Sequence, residues 1–181
     1  MRKVSVMLML CVLATAGCMT LEGQPIQINI LSTQQEVELG NQLSTEIEKQ
    51  ETISKDAALQ AYVSEIGARL GAVATRQDVQ YNFTVIDNPD TVNAFALPGG
   101  HMYLYTGLLK VCENEAELAS VMAHEIAHVA AHHHGEAMTK QYGYELLTQL
   151  LLGEQPSTLA KIATGVFGQG MMSYYSRDNE R

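Results

Sequence analysis

From Asn114 to His134 the chain holds neither Gly nor Pro. Nothing else in the sequence constrains the fold as strongly. Leu118, Val121, Met122 and Ile126 recur at helical spacing within this run, which therefore reads as one long helix. Asn114 is a good N-cap, Glu117 stands three residues on as in a capping box, and Gly135 is a natural residue to follow the last turn. Inside the run lies His124-Glu125-Ile126-Ala127-His128. Residues four apart on a helix are about 40° apart around its axis, so both imidazoles leave one face, one turn apart. That geometry lets His124 and His128 bind a single Zn²⁺. Glu125 sits about 100° round from His124, beside the ion, where it can take a proton from an attacking water and later return it to a leaving amine.

Two histidines do not complete a zinc site, and spacing leaves the third donor open. His134 lies six residues after His128, but if the helix continues it is about 240° round and faces away. His132 is on the metal side but too far along the axis, and the run His132-His133-His134 reads as a cap on the helix C-terminus, where partial negative charge favours it. The other option is a downstream carboxylate, among Glu136, Glu145, Glu154 and Glu180. Spacing does not choose among these.

The rest of the chain describes an exported domain. Arg2-Lys3 precedes a stretch of about 13 apolar and small residues, too short to span a bilayer and typical of a secretion signal. Thr15-Ala16-Gly17-Cys18 is similar to a bacterial lipobox, in which Cys18 becomes a lipidated N-terminus; Ala14-Thr15-Ala16 offers ordinary cleavage as the alternative. A lipidated Cys18 anchors the protein to a membrane facing the periplasm, as an outer-membrane lipoprotein; ordinary cleavage leaves it soluble in the periplasm. Cys11 leaves with the signal, so Cys112 stands alone as a small buried hydrophobe. Residues 19–32 form a tether. Thr33 to Gln50 reads as an amphipathic helix capped by Ser32 or Thr33, and Ser54 opens a second helix with Leu59, Val63, Ile66 and Leu70 on its apolar face. Residues 81–87 and 101–106 read as strands separated by turns at Asn88-Pro89-Asp90 and Pro98-Gly99-Gly100. Two further helices occupy 136–152 and 157–172. The fold class is mainly helical α+β. With 20 acidic residues against 11 basic and a formal charge of −9, the chain has no basic surface for nucleic acid.

Several segments together carry a family likeness. His124-Glu125-Ile126-Ala127-His128-Val129-Ala130-Ala131 resembles the active-site helix of the HtpX-like and CAAX-prenyl-protease-like zinc metallopeptidases, the gluzincins of metallopeptidase family forty-eight. Val92 to His101, Thr106-Gly107-Leu108-Leu109 and Asn114 to Ala119 fit the same family, so the likeness covers about residues 33–181. It implies a zincin-type domain with a small antiparallel sheet, one zinc ion, and Glu125 as the catalytic base. It also implies hydrolysis of unfolded or misassembled polypeptides in the bacterial envelope. The family's third ligand is a Glu after a Ser-Arg pair, which places it at Glu180 in Ser176-Arg177-Asp178-Asn179-Glu180. The Asp that follows four residues later in the family has no position before Arg181, so the domain is expected to be cut short there, with a catalytically impaired binding or chaperone module as the alternative function. The likeness further implies that Gly99, Gly100 and His101 lead into an edge strand where Met102 and Tyr103 pair with substrate.

Overall fold

The structure, a computed structural model, describes residues 31–153 and 155–168. Helix α1 (Thr33–Gln50) begins at Ser32, whose hydroxyl and Gln35 form a reciprocal capping box. Helix α2 (Ala57–Gly71) begins at Asp56, whose carboxylate accepts from the N–H groups of Ala58 and Leu59. The expected start at Ser54 is displaced because the backbone of residues 52–54 is occupied elsewhere. Ser54 N–H donates to the Val85 carbonyl, and Ile53 bridges Ile86.

Strands β1 (Asn82–Ile86), β2 (Ala94–Ala96) and β3 (His101–Tyr105) form one sheet in the order β1-β3-β2. β2 and β3 are an antiparallel pair joined through Pro98–Gly100, while β1 and β3 run parallel with Asn82 opposite His101. The sheet is therefore mixed, not antiparallel as expected. The turn at Asn88-Pro89-Asp90 reverses the chain, but the strand that follows it docks on the far side of β3. Long-range pairing decides that order, and local turn chemistry carries no record of it.

Both faces of the sheet are covered, so the strands are apolar on both sides. Leu39, Leu43 and Ile47 of α1 pack with Phe95, Tyr103, Tyr105 and Ile86 on one face, joined by Leu147 and Leu150 of helix α5 (His133–Leu151) and Ile162 of helix α6 (Pro156–Gly168). Val63 and Ile66 of α2 pack on the other face with Phe83, Val85, Met102 and Leu104. Leu118, Met122, Ile126 and Val129 of helix α4 (Glu115–Ala130) complete that layer. The short helix α3 (Thr106–Val111) connects β3 to α4, and Cys112 at its end is half-buried against this second layer rather than fully buried.

α1 approaches the β2–β3 turn closely. A Cβ on Gly40 would lie 2.0 Å from the Pro98 carbonyl oxygen, and one on Gly99, at φ 77°, would lie 2.5 Å from the Val37 Cα. Glycine at both positions is thus required by backbone contact, and at Gly99 also by the left-handed conformation.

Candidate metal centre

α4 starts as its sequence dictates. The Asn114 side chain accepts from the Glu117 N–H, and Glu117 returns a bond to the Glu113 N–H. Leu118, Met122, Ile126 and Val129 bury one stripe against the sheet, which sets α4 alongside β2 with Glu125 on the side facing Ala96. The two imidazoles meet edge to face with centroids 4.5 Å apart, and their Nε2 atoms converge to 3.0 Å. Two nitrogens bound at about 2.0–2.1 Å to one tetrahedral ion lie roughly 3.3 Å apart. The pair therefore already has the spacing and the aim of two zinc ligands, and these donors suit zinc.

Glu125 is 4% exposed. Burial pushes its carboxyl from 4.5 up to about 7, opposed in part by the Ala96 N–H, which donates to it. That donor follows from the sheet. Leu97 N–H and Asn93 carbonyl bond to β3, so the alternate residues Ala94 and Ala96 turn their backbone outward, toward α4. The structure thus ties Glu125, the second residue of the motif, to the outer edge of β2.

α4 stops at Ala130, and His132 turns the chain in the left-handed conformation, φ 59° and ψ 18°. The expected continuation to Gly135 does not occur, and Gly135 lies in the first turn of α5. A non-Gly residue in this region costs on the order of 1 kcal/mol. Here a buried polar cluster holds the corner. His132 Nδ1 lies 2.9 Å from Glu36 Oε1, and Arg76 Nη1 lies 2.7 Å from Glu36 Oε2. The same Nη1 donates to the Val129 carbonyl at 3.0 Å, and Arg76 Nε pairs with Asp78. Glu36 is 1% and Arg76 7% exposed. Arg76 thereby shares the last-turn Val129 carbonyl with the His132 N–H, which also donates to it at 3.1 Å. Neither residue was legible as part of the site. Both stand far from the motif in sequence, in segments whose composition reads as solvated.

The chain reversal redistributes the histidine run. His133 returns to His128, with the two Nδ1 atoms 2.8 Å apart, and His134 is buried with its ring 6.1 Å from that of His128. The run is therefore the corner that closes α4, where the His132 N–H bonds the Val129 carbonyl, and the first turn of the next helix. Burial, with His124 and His133 nearby, pulls His128 down to about 4, and burial pulls His134 to about 3. Glu136 is buried and 2.6 Å from Lys140 Nζ. Among the described residues no group of three His, Cys, Asp or Glu side chains is arranged to hold a metal. Glu154, Glu180 and Cys18 lie outside the described residues, as do residues 1–18 and 169–172.

The expected substrate strand is corrected. β3 is the central strand, paired on both sides, and Met102 and Tyr103 are buried, so neither can pair with an extended peptide. Gly99 and Gly100 are buried at the turn, packed against Val37 and Gln80. His101 Nε2 lies 2.7 Å from Asn41 Oδ1 on α1. These residues build the scaffold behind the site.

The chain has relatives among known proteins. The chain is 34% identical over 161 residues to the beta-barrel assembly-enhancing protease of Yersinia pestis, and to the same degree to that of Escherichia coli K12, covering 83% of this chain and 33% of each relative. It is 44% identical over 75 residues to the mitochondrial metalloendopeptidase OMA1 of Schizosaccharomyces pombe, covering 41% of this chain and 22% of that protein. The chain spans about a third of the length of the bacterial relatives it matches. The sequence profile of peptidase family M48 matches residues 57–181, which include the whole of α4 and its flanking strands, and the chain belongs to that family.

Proposed function

We propose that this protein is a zinc-dependent endopeptidase of the bacterial envelope that hydrolyses unfolded or misassembled proteins. The observation that carries this reading is the pair of converging Nε2 atoms on α4 beside a buried carboxylate of raised proton affinity. Zinc held by His124 and His128 would supply Lewis acidity, polarising a peptide carbonyl and acidifying a water. The chain's own residues do the rest. Glu125, fixed by the Ala96 N–H, accepts the proton of the attacking water and hands it to the departing amine. An affinity near neutral suits both halves of that exchange. The third donor is assigned to Glu180, on the strength of the Ser176-Arg177 dipeptide that precedes it. The anchor at Cys18 rests on the leader sequence, and the periplasmic location on that leader together with the likeness to beta-barrel assembly-enhancing proteases.

A test is to load the protein with zinc and follow cleavage of reduced casein. The wild type should cleave, and Glu125→Gln should bind zinc yet lose cleavage by at least about 10²-fold, the range of a lost general base. Equal cleavage by both would dismiss the mechanism. A second reading, a zinc-binding module without turnover, is favoured by the lack of a third donor among the described residues. Stoichiometric zinc with no cleavage of casein by the wild type would decide for it.

A further inference from the structure

We infer that His133 is a positioning residue for the metal centre, accepting a hydrogen bond from His128 and so fixing the tautomer in which His128 presents Nε2 to zinc. This rests on the reading of His124 and His128 as ligands. The two Nδ1 atoms are 2.8 Å apart and the rings are inclined at 54° with centroids 5.1 Å apart. Only one of two facing nitrogens can carry the proton. Nε2 of His128 faces Nε2 of His124, so a metal shared by the pair takes that nitrogen's lone pair and leaves the His128 proton on Nδ1. His133 Nδ1 must then be the acceptor, with its own proton on Nε2. A histidine ligand commonly donates its second ring N–H to a carboxylate, a backbone carbonyl or water. Here the partner is a neutral imidazole from the next helix.

The contact depends on the corner at His132. Had α4 continued, His133 would lie about 140° round the axis from His128 and could not touch it. The left-handed residue reverses the chain and brings the first residue of α5 back against the second ligand. The sequence pattern gives no hint of this, because five-residue spacing on one helix separates side chains.

The experiment is zinc titration of the whole chain against a chromophoric chelator, with circular dichroism and melting of each metal-free variant. His133→Leu removes the acceptor, whereas His133→Asn puts a carbonyl oxygen near the position of Nδ1. Loss of such a partner weakens metal binding by about 10–100-fold, so His133→Leu should fall in that range and His133→Asn should recover most of it. Wild-type affinity in His133→Leu, or equal weakening in both variants with both metal-free forms folded, overturns the inference. Nitrogen-resolved NMR of the zinc-loaded wild type gives a variant-free reading. His128 should be protonated at Nδ1 and His133 at Nε2, and a proton on His133 Nδ1 or a metal on it contradicts the assignment. Zinc bound by the wild type and lost in His128→Ala, with His133→Leu unaffected, sinks this inference alone. No zinc bound by the wild type sinks the site reading beneath it as well.

Discussion

Glu125→Gln in the metal-free protein should raise stability, and by an amount that grows with pH. The carboxyl is buried, and its affinity rises from 4.5 to about 7 because burial disfavours the charged form. Between those values the folded protein binds more protons than the unfolded chain, so wild-type stability falls as pH rises through this window and levels off above it. A rise from 4.5 to about 7 corresponds to on the order of 3 kcal/mol, an upper bound because water penetration softens it. Gln keeps an oxygen for the Ala96 N–H and has no charge to bury. The buried histidines also titrate below pH 7, but both proteins carry them, so the difference isolates position 125. With urea slopes of about 1–3 kcal/mol/M, the mutant's midpoint should exceed the wild type's by at most roughly 1–3 M at pH 8 and by almost nothing near pH 4.5. Urea titrations after exhaustive chelation, at half-unit pH intervals, measure this directly. A gap independent of pH, or a mutant less stable at pH 8, would refute the reasoning. Adding zinc should shrink the gap, because a cation at the histidine pair favours the carboxylate.

Three further outcomes follow from the scaffold. Arg76→Met leaves Glu36 buried without its guanidinium and removes one of the two donors to the Val129 carbonyl; urea unfolding should show a loss of about 3–5 kcal/mol, and Glu36→Gln/Arg76→Met together should lose less than Arg76→Met alone. Gly40→Ala should destabilise even though Ala is the better helix former by about 1 kcal/mol, because its Cβ meets the Pro98 carbonyl oxygen at 2.0 Å; a raised melting temperature would contradict the close approach. Acidification should destabilise the metal-free protein through His128 and His134, whose folded affinities are lowered to about 4 and about 3. That contribution is intact above pH 6.5 and is lost as pH falls toward those values, so His134→Leu should show a shallower acid limb in thermal melts.

What could be read from the sequence was what neighbours along the chain determine. The N-caps at Ser32 and Asn114, the apolar stripes of α1, α2 and α4, and the two turns are local, and the structure keeps them. The ligand pair and its neighbouring base are also local, since one helical turn sets their geometry. The rest depends on partners distant in sequence. α4 ends at Ala130 and the chain turns at a histidine, not at a glycine, because Glu36 and Arg76, from two other segments, hold the corner. β3 is internal because β2 pairs on its far side, a long-range pairing that the turn does not specify. His133 joins the site only after that corner has formed. In each case the deciding contact lies across the fold, where periodicity and capping rules have no reach.

The most direct test of the metal centre is the zinc content of the purified chain under native mass spectrometry. One zinc ion per chain in the wild type, and none in the variant carrying His124→Ala and His128→Ala together, is the result expected from the converging Nε2 atoms. Equal zinc in both, or a wild type that takes up none from excess zinc at pH 7.5, would contradict it.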